Sequence, residues 1–208
     1  MNRENYHHGN LYTACINTGI DFLNAGKTNF SLREVAKTLN VSANAPSRHF
    51  KNKEGLLAAI AEEGFRQMRL HLDKANRSKS LEKNFFSMMR TYLDFSLDRP
   101  NLYRVMMTIP NKDEYESLYQ ETAQSFQYLN DIIKELQQSG KLKKGNTLEK
   151  AYAIWAALHG IVSLVIEDNL YVESFAFIPR HNSFEERRTL AIRIMEEQMK
   201  GLLKGFSR

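Results

Sequence analysis

Residues 30–57 read FSLREVAKTLNVSANAPSRHFKNKEGLL, and this stretch decides the fold. Ser31, followed three residues later by Glu34, is the capping-box pattern that begins a helix. Apolar side chains then recur on one helical face: Leu32, Val35, Ala36 and Leu39. Asn40 tolerates the left-handed backbone conformation with which helices commonly end. The sequence therefore predicts a short helix that ends in a tight turn.

A second short helix is predicted to follow that turn. Ser42 can cap a helix that runs from Ala43 to about His49. Pro46 lies in its first turn, where only the opening backbone hydrogen bond is lost. Asn52 is a candidate cap for a third, longer helix. Two short helices joined by a turn of about four residues form a helix-turn-helix.

The second helix of such a motif enters the DNA major groove by its N-terminal residues. The side chains predicted to project there are small, or can hydrogen-bond to bases and phosphates: Ala43, Asn44, Ser47, Arg48 and His49. Arg33 is a further candidate for base edges, and Ser31, His49 and Lys53 are candidates for phosphates. Lys53 begins a helix, where backbone amides already attract phosphate. The alternative interpretation is a helical hairpin with a solvated charged face.

The same run resembles the DNA-binding domain of the TetR/AcrR family of bacterial regulators. Agreement with that family's pattern falls on Gly26, Ser31, Val35, Ala36, Val41, Ser42, His49, Phe50, Lys53, Glu54, Leu56 and Leu57. Asn40 replaces the family's usual Gly, and Ser47 replaces a Tyr that commonly reaches a phosphate. The resemblance implies a DNA-binding domain over residues 1–54 that places residues 42–48, Ser42 included, in the major groove.

The distribution of charge agrees with a nucleic-acid-binding head. The chain has 208 residues and a net charge of +5. Residues 1–80 hold 12 Lys and Arg against 7 Asp and Glu, whereas residues 81–208 hold 17 of each. All of the excess positive charge therefore lies in the part that carries the predicted motif, as expected for a phosphate-binding domain joined to a neutral one.

The rest of the chain is predicted to be helical, so the expected fold class is all-α. A long helix from Lys53 to about Asn76 connects head and body over residues 55–80, and residues 81–208 form a helical bundle. Helices are expected over residues 81–98, 102–108, 113–139, 147–168 and 183–204, and a loop over 169–182. Asn146 with Glu149, and Ser183 with Glu186, are capping pairs.

Three further segments resemble one TetR subgroup, whose C-terminal domain carries a Trp-His-Gly signature. The signature falls on Trp155, His159 and Gly160, and YHHGNL (6–11) and DRPNLYRVMM (98–107) agree with the same subgroup. The resemblance implies a homodimer formed mainly by the helices at about 147–168 and 183–204. Both helices are apolar over broad arcs, which favours burial against a partner. Packing within one chain is the alternative.

The helical body is expected to hold an effector between its helices, because bundle interiors commonly contain apolar cavities with a few polar groups. The candidate lining residues are Tyr92, Arg104, Met107, Phe126, Trp155 and His159. The plainer interpretation is that these side chains simply fill a packed core.

Other classes of protein fit the sequence poorly. It has no Gly-rich phosphate loop, GxSxG or HExxH motif, so no catalytic residue, cofactor or metal ligand is predicted. Adjacent His7 and His8 point apart on a helix and make a poor metal pair. The single Cys15 excludes an internal disulfide and is expected to be a buried apolar side chain rather than a redox thiol. No apolar run approaches the length of a membrane span, and a cytoplasmic location is the default.

These observations predict a ligand-responsive, DNA-binding transcriptional regulator, a repressor that binds a palindromic operator as a homodimer. Tyr6 and His7 are additional candidates for phosphate contact. The alternative is a helical small-molecule-binding or partner-interaction protein with a degenerate DNA-binding head, which the departure at Ser47 and, more weakly, Pro46 keep open.

Overall fold

The computed structural model describes residues 8–75, 78–109, 114–167 and 183–204, and within them the chain is helical with no strand. Its α-helices are α1 (His8–Asn24), α2 (Leu32–Thr38), α3 (Lys53–Ala75), α4 (Leu81–Asp98), α5 (Pro100–Thr108), α6 (Glu116–Gln138), α7 (Thr147–Ile166) and α8 (Phe184–Lys204). A three-residue 3₁₀ helix, Pro46–Arg48, lies between α2 and α3. The expected all-α fold is confirmed.

Most predicted helix ends are close to those observed, because their caps form as expected. Asn146 accepts hydrogen bonds from the backbone of Leu148 and Glu149 at 3.0 and 3.2 Å. Ser183 and Glu186 form a reciprocal capping pair ahead of α8. The loop expected over residues 169–182 lies outside the described residues, as do Tyr6 and His7.

One prediction about this part of the chain is wrong: no α-helix runs from Ala43 to His49. Ala43 and Asn44 lie in a turn, and only Pro46–Arg48 is helical, capped by Ala45 without a side-chain hydrogen bond. An α-helix begun at Ala43 would bring the Pro46 ring against a carbonyl of the preceding turn. Proline instead occupies the first position of the short helix, where its missing N–H is no loss.

The described residues form two compact units. The first, here called the head unit, is drawn from Met1–Gln67 and Arg99–Ala123, and the second, the body unit, from Met68–Asp98 and Gln124–Arg208. Helices α3 and α6 therefore contribute to both units. The functional boundaries expected at residues 54 and 80 stay predictions.

In the head unit, α1, α2, α5 and the first part of α3 share one core. Its buried side chains include Ile16, Leu23, Phe30, Val35, Phe50, Leu56, Ile60, Leu102 and Met106. Cys15 is fully buried as expected, and burial raises the pKa of its thiol. Gly64 permits a close approach of α3 to α5, because a Cβ there would lie 2.7 Å from Met106 Sδ.

In the body unit, α4, α7 and α8 pack against one another. The inner face of α4 is fully buried through Phe85, Met89, Leu93 and Leu97. Arg188 of α8 binds Asp94 and Asp98 near the end of α4, with N···O distances of 2.7 and 2.6 Å. These paired charges fix the start of α8 beside α4.

Helix α7 is strongly apolar, although most of its surface is not buried within the protomer. Among the described residues it is the one helix long and apolar enough to cross a membrane, with a mean hydropathy of 1.3, which is weak support for a span. The sequence alone had indicated no run of that length. Only 33% of the apolar window is buried within the protomer.

Candidate nucleic-acid interface

Helix α2 begins with a complete capping box. Ser31 Oγ accepts from the Glu34 amide at 3.2 Å, and the Ser31 amide donates to Glu34 Oε2 at 2.9 Å. Lys27 Nζ lies 2.6 Å from the other carboxylate oxygen of Glu34. Hydrogen bonds from Lys27, and then from Ser31, lower the pKa of Glu34 to about 2. The carboxylate therefore stays ionised and secures the first turn of α2.

Asn40 follows the end of α2 in the left-handed backbone conformation that the sequence predicted. Its φ is 53°, and it is the one residue other than glycine with a positive φ in the described chain. The Val41 amide donates to Ala36 O at 3.0 Å, and the Asn40 amide donates to Lys37 O at 3.2 Å. This pair of bonds is a Schellman motif, in which the last carbonyls of the helix are satisfied. The chain consequently turns sharply into the next segment.

Residues 42–50, here called the recognition segment, combine an exposed start with a buried end. Ala45 N donates to Ser42 O at 2.9 Å, which closes a turn ahead of the 3₁₀ helix. Its exposed residues are Ser42, Ala43, Asn44, Ser47 and Arg48. Pro46 and Phe50 are buried and His49 is half-buried. The apolar members thus fix the segment to the head, while its small and polar members face solvent.

The N-terminus of α3 presents a positioned amine. The Asn52 side chain accepts from the Gly55 amide at 2.9 Å, which confirms Asn52 as a cap. Lys53 Nζ donates to Asn29 Oδ1 at 3.0 Å and lies 5.7 Å from the centre of the Phe30 ring. An amine held at the first turn of a helix, where the helix dipole is positive, favours a bound phosphate.

Those predicted DNA-contact residues that the structure describes all lie in the head unit, and most of them are solvent-exposed. Ser31 and Arg33 are exposed at the start of α2, and His49 and Lys53 are half-buried. The sequence-based set omitted Asn29, which orients Lys53, and the exposed Lys51 between His49 and α3. Lys51 was recognisable from its charge, whereas Asn29 carries no local signal for this contact.

The six candidate effector-binding residues are divided between the two units. Arg104 and Met107 lie in the head unit, where Arg104 Nη1 donates to Asn101 Oδ1 at 2.8 Å. The other four lie in the body unit: Tyr92, Phe126, Trp155 and His159. A common role for them in one effector site stays a prediction.

The four body residues are partly paired with aromatic neighbours. The ring centres of Phe126 and Tyr152 are 4.7 Å apart, and those of Trp155 and His159 are 5.4 Å apart in a stacked arrangement. Burial lowers the pKa of His159, so its neutral imidazole is favoured. Tyr92 is buried. Within the described residues no group of three or more His, Cys, Asp or Glu is arranged to hold a metal ion.

Two protein-family models match this chain, one in its N-terminal part and one in its C-terminal part. Residues 22–60 match the N-terminal domain model described as "Bacterial regulatory proteins, tetR family". Residues 85–187 match "Tetracyclin repressor-like, C-terminal domain". No curated protein matches the chain.

Solved structures show the same fold at low sequence identity. A protein of unknown function from Rhodococcus sp. RHA1 superposes with a TM-score of 0.72 at 24% identity, covering 97% of this chain and all of its own. A TetR-family transcriptional regulator from Pectobacterium atrosepticum gives 0.72 at 17% identity, covering 97% and 98%. The regulator FadR from Bacillus subtilis, solved with stearoyl-CoA, gives 0.69 at 17% identity, covering 93% and 98%.

A capped helix and turn with an exposed recognition segment, together with a body that matches a repressor-type C-terminal domain, define a ligand-responsive DNA-binding transcriptional regulator. Because the two models together span residues 22–60 and 85–187, the chain belongs to the TetR family of bacterial regulatory proteins. Its place in the subgroup with the Trp-His-Gly signature stays a prediction.

Proposed function

We propose that this regulator is a homodimeric repressor that reads a palindromic operator with the recognition segments of its two heads. The observation that carries the proposal is the exposure of Ser42, Ala43, Asn44, Ser47 and Arg48, which follow the Schellman turn at Asn40. Small exposed residues let backbone approach base edges, and Asn and Arg can hydrogen-bond there. A twofold dimer would present two such segments to successive half-sites.

The roles of individual residues follow from their chemistry. Asn44, Ser47 and Arg48, together with Arg33 of α2, supply base-edge contacts. Ser31, His49 and Lys53 supply phosphate contacts, which set the position of the head and carry no sequence information. The Ser31 hydroxyl is already engaged with Glu34, at 3.0 Å from Oε2, so its contact depends on exchanging that bond.

The dimer is proposed to form through α7 and α8. Three large apolar side chains of α7 are about half exposed in the protomer: Leu148 (50%), Tyr152 (53%) and Leu164 (44%). A Cβ placed on Gly160 would meet no described atom within 4 Å, so the surface of α7 at Gly160 also has room for a partner. Covering such an apolar face with a second copy removes it from water.

An effector in the body is proposed to control DNA binding. It acts through a difference in its affinity for the DNA-bound and unbound forms of the dimer, because a ligand with equal affinity shifts no equilibrium. The FadR structure with stearoyl-CoA makes long-chain acyl-CoA esters the first effectors to test. The protein would act in the cytoplasm by binding rather than by catalysis.

A gel-shift titration tests the function. Duplexes are selected from a random pool by the purified protein, and the DNA upstream of its own gene is used in parallel. We expect retention at moderate salt, with competition by the selected duplex and not by random DNA. Sedimentation of the same complex should give two chains for each duplex.

One observation favours a second function, a small-molecule-binding protein whose head no longer reads DNA. The recognition segment holds a single 3₁₀ turn rather than an α-helix, and Ser47 stands where the family has Tyr. In that case random and selected duplexes would compete equally, while the protein still bound an acyl-CoA ester. Preference for the selected duplex would exclude this alternative.

A further inference from the structure

The recognition segment has little structure of its own. Its backbone hydrogen bonds join residues only three or four apart: Ala45 N donates to Ser42 O at 2.9 Å, Arg48 N to Ala45 O at 3.2 Å, and His49 N and Phe50 N to Pro46 O at 2.9 and 3.0 Å. One isolated helical turn is unstable because few bonds offset the ordering of its backbone. Its orientation must therefore depend on side-chain contacts with the rest of the head unit.

Tyr12 of α1 provides such a contact from outside the helix-turn-helix. Its ring stacks on Phe50, with centroids 5.1 Å apart and planes at 16°. It also meets the His49 ring edge-on at 6.1 Å. One side chain thus touches both residues that end the recognition segment, and paired aromatic rings restrict each other's orientation.

Tyr12 is partly exposed, so its contact with the recognition segment can be changed without removing a buried core side chain. Tyr12 is 38% exposed, whereas its neighbours Leu11, Cys15 and Ile16 are buried and carry the packing of α1. Burial, and then the nearby Glu62 carboxylate, raise the pKa of the Tyr12 hydroxyl, so the side chain is neutral at physiological pH. It therefore acts through its ring rather than through a charge.

We propose that Tyr12 is a positioning residue for DNA recognition, because its ring holds His49 and Phe50 and thereby sets the orientation of the recognition segment. The inference rests on the proposed function and adds a specificity determinant that touches no base. A shifted segment would lose base-edge contacts more than phosphate contacts, since the former require closer alignment. Loss of the Tyr12 ring should therefore reduce the preference for operator over other sequences more than it reduces the affinity for DNA in general.

The test compares full-length Tyr12→Ala, Tyr12→Leu and Tyr12→Phe with the parent. Fluorescence anisotropy measures binding to the selected operator duplex and to a scrambled duplex. An aromatic pair is usually worth about threefold to tenfold, so with two copies in the dimer we expect Tyr12→Ala and Tyr12→Leu to weaken operator binding by about tenfold to 100-fold. Binding to scrambled DNA should fall by a smaller factor, because the phosphate contact of His49 is shifted while those of Ser31 and Lys53 remain. Tyr12→Phe, which keeps the ring, should match the parent.

Tyr119→Ala is the matched control, because Tyr119 is a 53% exposed tyrosine of α6 in the same unit. It should leave both affinities unchanged. If Tyr12→Leu keeps the parent's preference for operator over scrambled DNA, or if Tyr12→Phe loses that preference, the positioning role is overturned. A parent protein without any such preference would overturn the proposed function itself, and the inference with it.

Discussion

Replacing Lys53 by Gln should reduce both the affinity for DNA and its dependence on salt. Lys53 Nζ is held by Asn29 at the first turn of α3, where backbone amides favour an anion. Each phosphate contact contributes about 0.9 to the slope of log K against log salt. Two copies in a dimer therefore account for roughly 1.8 units of slope.

The same relation gives the loss of affinity. At about 0.15 M salt, one contact corresponds to roughly a fivefold to sixfold factor in the association constant, and two contacts to about 30-fold. Operator and scrambled duplexes should be weakened to the same extent, because a phosphate contact carries no base information. Asn29→Ala should produce a smaller effect in the same direction, because the amine remains but loses its orientation.

The assay is anisotropy with both duplexes over a range of salt concentrations. Lys74→Gln is the matched control, since Lys74 is an exposed lysine in the last turn of the same helix. It removes the same charge and should leave the slope unchanged. A Lys53→Gln protein with the parent's slope would refute the placement of a phosphate at the start of α3, whatever its affinity.

Three further outcomes follow from the head unit. Asn44→Ala should relax preference at one operator position by ~1–3 kcal/mol if the contact is bidentate, measured with single-base operator variants, and equal loss on all sequences would contradict it. Ser31→Ala should lower the free energy of unfolding in urea by about 1 kcal/mol, whereas Ser42→Ala, which caps no helix, should change it little. Because the pKa of Glu34 is lowered from 4.5 to about 2, its share of stability is present above pH 4.5 and is lost as pH falls toward 2. Lys27→Gln should raise that pKa in an NMR titration, and an unchanged value would show that Lys27 is not the main cause.

Local patterns predicted those parts of the fold that depend on neighbouring residues. The capping boxes at Ser31 and Ser183 and the left-handed turn at Asn40 form as expected. Each of them joins groups only a few residues apart, so sequence spacing alone brings the donor to its acceptor. The recognition segment is the exception, because Pro46 disfavours an α-helix that includes the turn before it.

The candidate site was predicted only in part, because some of its contacts join residues that are distant in the sequence. Exposed residues such as Asn44 and Arg48 follow from motif spacing, whereas Asn29 beside Lys53 does not. The six effector candidates are apolar, aromatic or charged residues of predicted helices, yet they belong to two packing units. Periodicity shows which face of a helix is apolar and says nothing of which helix covers it.

The amino-acid sequence by itself determined that this chain is helical, where most helices begin and end, and that a capped helix followed by a sharp turn lies within the basic first 80 residues. Only the tertiary structure decided that Tyr12 stacks on Phe50 and that Arg188 joins Asp94 and Asp98. The physical reason is range: a cap or a turn is stabilised by atoms a few bonds away, whereas ring stacking and ion pairs between helices depend on how distant segments pack.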